Sequence, residues 1–379
     1  MKRVASHRLP IGEQARTRRG LTLIELVIAL GLFALLMVAV FQLVDRSLTT
    51  WRTGETRRSL LEMSSAVQEE IAADFAGLEP GARGDLVLEW VAFDTDGNGT
   101  LETKWPRVRL VRQASAADVE RLLARDAPPR AERDDGMLEL EPASAGLVEV
   151  LWMVAPASFK DKAARAEGLL WRGERLVGDA RTKSFFANDF FGASNRPPAG
   201  ATEPVTGGVL WMEILLATPT SIVHDGWNRT GSLDTVAASW DAWGKGRPDA
   251  DVHPWNEALP GLATPRERAL LPRRVRIELE CERPIDRQRR TITLEPMDTG
   301  DGSFRVDDAR YLPFGPDRYV LVDAEWMKVV SIDGAQVSVQ RAQRGTTATL
   351  HEARTMVHFG ERLVREATVP TCREDWDLR

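Results

Sequence analysis

One carboxylate, Glu25, lies near the start of an otherwise apolar run that extends to Phe41. A basic segment precedes this run and ends at Gly20, and the apolar residues begin at Leu21. An ionisable side chain is costly in a membrane-spanning segment, and where one occurs it usually has a function and a partner. In a low-dielectric helix bundle the carboxylate must be paired or neutralised. The pattern therefore predicts a functional role for Glu25, and the alternative is a lone protonated glutamate.

A second group of oxygen-bearing side chains has the spacing of a calcium-binding loop. Oxygen ligands at positions one, three and five, with glycine at six, match the first half of an EF-hand loop. Position twelve is Trp105, which cannot supply the bidentate carboxylate of that loop. A polar hairpin turn is the alternative, because Asp-Gly and Asn-Gly favour tight turns. The candidate calcium ligands are Asp94, Asp96, Asn98, Thr100 and Glu102.

Motifs of enzymatic chemistry are absent from the sequence. It contains no Gly-rich phosphate loop, no nucleophile elbow and no His-Glu-x-x-His motif, and its five histidines are scattered. We therefore expect that the protein is not an enzyme. The two cysteines, Cys281 and Cys372, both follow predicted strands, and in an exported domain they either form a disulfide or remain thiols.

Charge is distributed unevenly along the chain. The net charge is −6, yet the segment before Leu21 carries six basic residues and one acidic residue, so the remainder is more acidic than the whole. This acidic remainder argues against nucleic acid as a partner, because phosphate binding requires a basic surface. The positive-inside rule places the basic segment in the cytoplasm and the C-terminal bulk on the other side. Residues 21–44 are long enough to cross a bilayer as one helix.

The residues from Thr17 to Glu25, with the apolar run after them, resemble the N-terminus of type IV prepilins and pseudopilins. In that family a membrane peptidase cuts after the glycine and methylates the new N-terminus. The resemblance implies cleavage between Gly20 and Leu21, which makes Glu25 the fifth residue of the mature chain. It also implies that Glu25 meets a terminal α-amine, in the family that of a neighbouring subunit, and so sets the axial register. An uncleaved membrane anchor is the alternative.

Partners and location follow from the same resemblance. It implies a prepilin peptidase, other pilins or pseudopilins, an inner-membrane assembly platform and membrane lipid as partners. The protein is expected to be a single-pass inner-membrane protein whose cytoplasmic leader is removed. Its C-terminal domain is expected to be periplasmic or extracellular.

A helical pattern continues beyond the apolar run. Apolar residues recur at spacings of three and four between Ser47 and Phe75, as in an amphipathic helix. We therefore predict one helix from Leu21 to about Phe75, whose second half packs through one apolar face on a globular domain. The predicted fold is α+β and pilin-like, with this helix packed on an antiparallel β-sheet and a C-terminal β-rich insertion.

The rest of the chain reads mainly as strands, with one short helix at 114–124. Residues 85–93 and 107–112 are predicted to pair as a hairpin. The tryptophans of the long 225–265 segment are expected to fold that segment onto the core, and the alternative is that they bind a ligand. The remaining strands are predicted at 138–140, 146–154, 168–171, 176–178, 209–217, 271–280, 319–324, 325–330, 336–340 and 362–370.

The order of several segments resembles the J class of minor pseudopilins of type II secretion. The matching features are Gly146–Trp152, Leu169–Arg172, the tryptophans Trp240 and Trp243, and the Leu271-Pro272 strand. J-class proteins are usually shorter and end soon after that strand, so residues 284–360 are additional. The predicted segments are a leader (1–20), a transmembrane half-helix (21–44), an amphipathic half-helix (45–78), a β-sheet domain (79–283), an inserted β-module (284–360) and a last strand with a tail (361–379).

The additional segment has a pattern of its own. Glu325-Trp-Met, a turn at Asp333-Gly334, Arg-Gly-Thr-Thr-Ala and then His351 resemble a small β-module of phage tail and virion-associated proteins. The alternative is a β-hairpin insertion that caps the sheet. In either case the last strand is expected to return to the main sheet.

Together these features predict a minor pseudopilin-like subunit of a type II secretion pseudopilus or a type IV pilus tip. The alternatives are a tip adhesin or ligand-binding surface protein with a pilin-type anchor, and an ordinary anchored protein.

Overall fold

The computed structural model describes most of the chain, in two units that are treated separately: the part up to Glu55, and Thr56–Arg379. Within the long helix the side chains of Thr53, Thr56 and Arg57 are not described. The described residues are 22–93, 103–125, 146–156, 167–187, 189–192, 195, 198, 200–217, 236–237, 239–243, 269–282, 291–313, 315 and 317–370.

Helix α1 extends from Leu23 to Ala76, in agreement with the predicted helix. Leu21, the predicted first residue, lies outside the described residues. In the first unit every described side chain of this helix is exposed. In the second unit the helix has a buried face, because Leu60, Val67, Ile71 and Phe75 belong to the same hydrophobic core as the main sheet. This change from all-round exposure to one buried face follows the sequence pattern.

The main sheet contains nine strands among the described residues, all antiparallel. Its spatial order is β15-β8-β5-β4-β3-β2-β1-β7, and β6 pairs with β5. A short helix, α2, spans Ala116–Arg125. The strands are β1 (Leu86–Phe93), β2 (Thr103–Ala114), β3 (Gly146–Pro156), β4 (Gly168–Leu176), β5 (Glu203–Ala217), β6 (Val236–Ala237), β7 (Trp240–Asp241), β8 (Arg274–Cys281) and β15 (Glu361–Thr368).

Two pairings and one burial were predicted and are confirmed. Strands β1 and β2 form the expected hairpin, and β15 returns to the main sheet beside β8. Trp240 is fully buried, and its Nε1 donates to the carbonyl of Leu270 at 2.9 Å. The strand predicted at residues 138–140 lies outside the described residues.

The prediction of two separate strands at 168–171 and 176–178 is wrong, because β4 is continuous from Gly168 to Leu176. Gly173, in the middle of this strand, is required by close packing. A Cβ at this position would lie 2.9 Å from the carbonyl oxygen of Ala201 and from side-chain atoms of Phe185 and Thr202. Glycine in a strand can mark such a close approach rather than a turn.

A second, six-stranded sheet forms between β8 and β15 along the chain, and we call residues 291–359 the β-module. Its described strands are antiparallel in the order β10-β13-β12-β11-β14-β9. Met327 and Val337 are fully buried within a hydrophobic core made only of β-module residues. The strands are β9 (Thr291–Ile292), β10 (Ser303–Arg305), β11 (Tyr319–Val322), β12 (Glu325–Asp333), β13 (Gln336–Gln343) and β14 (Met356–His358).

Aromatic residues join the β-module to the main sheet. Trp211 of β5 and Trp326 of β12 pack edge to face with ring centroids 5.9 Å apart. The guanidinium of Arg344 lies 4.2 Å from the ring centroids of both Tyr319 and Trp326. These contacts connect the β-module to the main sheet through Trp211.

Candidate functional site

Glu25 lies in the first turn of α1 and is bonded to Thr22 in both directions. The backbone N–H and the hydroxyl of Thr22 donate to Glu25 Oε2 at 2.9 and 3.0 Å. The backbone N–H of Glu25 donates to Thr22 Oγ1 at 3.3 Å. This reciprocal arrangement is a capping box, which satisfies N–H groups that the first turn of a helix leaves without intrahelical partners. The Thr-x-x-Glu spacing signals it in the sequence, and the interpretation of Glu25 as a membrane carboxylate overlooked it.

The helix that carries Glu25 can cross a membrane by its length and composition. Within the segment Leu23–Arg52, the most apolar stretch has a mean hydropathy of 2.8, and none of that stretch is buried. Large side chains such as Leu23, Phe33 and Phe41 are exposed over more than half of their surface. Exposed apolar surface of this extent marks a membrane or protein contact. The arrangement can therefore hold the chain in lipid or in a bundle of similar helices.

The β-module contains a buried cluster around Glu325 whose members sequence reasoning noted without linking them. The Nε and Nη2 of Arg341 donate to the two oxygens of Glu325 at 2.6 and 2.7 Å. The backbone N–H groups of Ala342 and Thr349 each donate to this carboxylate at 3.0 Å. His351 Nε2 lies 2.9 Å from Glu325 Oε2. With four N–H donors and the His351 imidazole around one carboxylate, the cluster suits the fixing of loops better than the binding of a substrate.

These contacts shift two pKa values in the cluster. Burial tends to raise the pKa of Glu325, but the hydrogen bonds from Arg341 and the other donors outweigh it and lower this pKa to about 2. Burial tends to lower the pKa of His351, but its bonds to Asp323 and Glu325 outweigh it, so this pKa is raised. His351 Nδ1 lies 2.7 Å from Asp323 Oδ2. The imidazole therefore favours its charged form between two carboxylates.

Comparison with known families concerns the N-terminal segment. Residues 15–41 match the model of the prokaryotic N-terminal methylation motif. The chain carries a prepilin-type N-terminus. No curated protein and no solved structure matches the chain. The match therefore assigns the start of the N-terminal helix to a methylation motif. The function of the β-sheet domain has to be argued from its own residues.

The prepilin-type motif contains the three residues with a predicted role in processing and assembly. Gly20 and Leu21, between which cleavage is predicted, lie outside the described residues, whereas Glu25 is described. The structure therefore describes the start of the helix from Thr22 onward, and the cleavage position stays a prediction.

The predicted calcium ligands Asp94, Asp96, Asn98, Thr100 and Glu102 lie outside the described residues. The structure describes the strands on either side, where Phe93 of β1 pairs with Thr103 of β2. The intervening segment therefore connects two paired strands, which agrees with both the calcium loop and the hairpin turn.

Cys281 is a free, buried thiol whose pKa burial raises to about 12, and Cys372 lies outside the described residues.

Proposed function

We propose that this protein is a pilin-like structural subunit with an assembly role and no catalytic activity. In this proposal a prepilin peptidase cuts between Gly20 and Leu21, and the mature chain assembles with other pilins or pseudopilins. The observation that carries it is the combination of an exposed apolar helix with Glu25 in its first turn, inside a matched methylation motif. We assign it to the minor pseudopilins of a type II secretion pseudopilus or to the tip of a type IV pilus.

The position of Glu25 supports a role in recruitment. Its carboxylate lies beside the N–H groups of the first turn, where the helix dipole favours negative charge. Cleavage after Gly20 creates a cationic amine at Leu21, one residue before Thr22. In a lipid environment a buried carboxylate and an amine stabilise each other only when both are present. A neighbouring subunit that offers its amine then pairs with Glu25, while Thr22 holds the carboxylate in place.

The mature N-terminus tests this proposal most directly. We would measure intact mass and N-terminal peptide sequence in cells with and without their prepilin peptidase. We expect a chain that starts at Leu21, with or without methylation, only when the peptidase is present. Gly20→Leu should abolish this product, and Glu25→Ala is the matched control that leaves the cleavage site unchanged. A chain that starts at Met1 in both strains would contradict the proposal and favour an ordinary anchored protein.

A pilus-tip adhesin is the second candidate, because the β-module has its own sheet and its own core. The register between β8 and β15 shows where the chain can be shortened to remove the β-module. Cys281 and Glu361 are direct partners in β8 and β15, so a tight turn can replace residues 282–360 and leave an antiparallel hairpin. An adhesin without its β-module should form filaments that no longer bind their target. An assembly subunit that needs the β-module should form no filaments.

A further inference from the structure

Three side chains with metal-binding atoms converge where the β-module meets the main sheet. Glu167 precedes β4, Glu282 follows β8, and His358 ends β14. All three residues are buried, with exposures of 7%, 3% and 3%, and one ligand atom from each lies within 4.8 Å of the other two. We propose that Glu167, Glu282 and His358 bind a divalent metal ion of the zinc type.

One of the three distances between ligand atoms matches the geometry of such an ion. His358 Nδ1 and Glu282 Oε1 lie 3.4 Å apart, which is long for a hydrogen bond between these groups. In a tetrahedral zinc site, with ligand atoms about 2.0–2.2 Å from the metal, neighbouring ligand atoms lie roughly 3.3–3.6 Å apart. The two atoms are therefore separated by the edge of a zinc tetrahedron before any rearrangement.

The backbone holds the three side chains in position. Register pairs connect Gly168 with Val209, Val209 with Cys281 and Cys281 with Glu361, so one row crosses four neighbouring strands. Glu167 and Glu282 each lie next to a member of this row, and the backbone N–H of Glu282 donates to the carbonyl of Gly208 at 2.8 Å. The ligands thus sit on paired strand ends, which position a site more precisely than loops do.

Two glycines beside the ligands require close backbone approach. A Cβ on Gly360 would collide with the carbonyl of Cys281, and a Cβ on Gly168 would collide with the side chain of Val154. Gly168 follows the ligand Glu167, and Gly360 lies two residues after the ligand His358. These positions keep the strand ends around the site tightly packed.

The donor set selects the class of ion. One imidazole and two carboxylates suit zinc and similar first-row metals, whereas calcium takes six to eight oxygen ligands. The charge of a divalent cation offsets two carboxylates that are buried together. Three protein ligands leave a fourth position for water. Because His358 belongs to the β-module and both glutamates flank strands of the main sheet, the ion links the two sheets.

Metal binding by the full-length protein in detergent tests this inference. After treatment with a chelator, we would add Zn²⁺ and measure stoichiometry by elemental analysis and affinity by calorimetry. We expect one Zn²⁺ per chain and a higher Tm on binding, because an ion that binds only the folded state stabilises it. Co²⁺ in place of Zn²⁺ should give the visible absorption of a tetrahedral site. An absence of stoichiometric binding by the wild-type protein would overturn the proposal.

Variants of two of the three proposed ligands test the assignment of the ion to this site. Glu282→Gln and His358→Gln should each weaken Zn²⁺ binding by at least about tenfold and abolish the rise in Tm. His351→Gln is the matched control, because His351 is also buried and contacts two carboxylates. The His351→Gln variant should bind Zn²⁺ like the wild type. Asp96→Asn should also bind Zn²⁺ normally, which separates this site from the predicted calcium loop. Unchanged Zn²⁺ affinity in both Glu282→Gln and His358→Gln would overturn the assignment.

Discussion

The side-chain amide of Gln68 in α1 donates to the carbonyl of Leu363 in β15 at 3.0 Å. The same nitrogen donates to the carbonyl of Ile277 in β8 at 3.2 Å. Gln68 is buried, and the two carbonyls belong to the strands that precede and follow the β-module in the chain. One side chain thus fixes the helix to the strand pair from which the β-module extends.

Gln68→Leu is therefore expected to destabilise the protein. It removes the amide that donates to both carbonyls, and a buried polar group that loses its partner costs about 1–3 kcal/mol. Denaturant unfolding of the detergent-solubilised protein would measure this loss. Glu69→Gln is the matched control, because its exposed pair with Arg365 should contribute less than about 1 kcal/mol. A loss as small for Gln68→Leu as for Glu69→Gln would contradict the prediction.

Glu25→Gln separates the capping role of Glu25 from its charge. A glutamine oxygen still accepts from Thr22, so the helix start should be retained and cleavage should be unchanged. The loss of charge removes the partner of an amine in a low-dielectric bundle. We expect incorporation into filaments to fall at least about tenfold, which corresponds to 1.4 kcal/mol.

Thr22→Val provides the complementary variant. It removes the hydroxyl of the capping box and keeps the carboxylate of Glu25, at a cost of about 0.5–2 kcal/mol in helix stability. Its filament incorporation, measured by immunoblotting of sheared filaments, should exceed that of Glu25→Gln. The reverse order would show that capping, rather than charge, is the function of Glu25.

The β-module should be most stable in mildly acidic solution. The raised pKa of His351 contributes stability that is complete below its unfolded pKa of about 6.5 and is lost as pH rises through the folded value. The lowered pKa of Glu325 contributes stability that is complete above about 4.5 and is lost as pH falls toward about 2. Both contributions are complete between roughly pH 4.5 and 6.5.

Thermal unfolding of the wild type and of His351→Gln at pH 5.5 and 8.5 would test this pH dependence. The wild type should lose more stability than the variant between the two values, because only the wild type can lose the proton. Asp323 and Glu325 are the acidic groups bonded to the imidazole, and Arg341 is the cation bonded to Glu325. Parallel pH profiles for the two proteins would contradict the assignment.

Arg344 is expected to be a strong stabilising residue at the junction of the two sheets. Its Nη2 donates to Glu280 Oε2 at 2.7 Å, and both side chains are almost completely buried. Arg344→Met leaves Glu280 without its cation, and the loss of one partner of a buried pair costs about 3–5 kcal/mol. The exposed pair Arg305–Glu295 is the control, and Arg305→Met should cost less than about 1 kcal/mol.

A double-mutant cycle completes this test. Arg344→Met combined with Glu280→Gln removes both charges, so its cost should be smaller than the sum of the two single changes. Chemical denaturation of the four proteins would measure the coupling. Strictly additive costs would mean that the aromatic contacts of Arg344, rather than its ion pair, hold the two sheets together.

Local patterns were sufficient to predict the parts of this fold that local physics determines. The apolar run and the spacing of three and four predicted α1 because a helix places such residues on one face. Alternation and turn residues predicted the β1–β2 hairpin for the same kind of reason. Strand β4 was predicted as two strands, because the close packing of Gly173 against Phe185, Ala201 and Thr202 is not visible in the local sequence.

The two buried clusters could not be predicted from spacing. Glu167, Glu282 and His358 come from three distant segments and meet only through strand register and the packing of two sheets. Glu325 and His351 were visible in a sequence pattern, but their contact depends on how the loop after β13 returns to β12. The capping box of Thr22 and Glu25 is different, since its spacing is local and was readable from the sequence.

The adjacency of Cys281 and Glu361 in β8 and β15 has a consequence for folding. The chain leaves the main sheet and re-enters it at the same place, so β8 and β15 pair only after the chain between them has closed into a loop. The entropy cost of that closure rises by only about 0.6 kcal/mol for each doubling of loop length. A β-module that folds on its own core brings the two ends together, so the host sheet can carry an insert of this size at little expense to its stability.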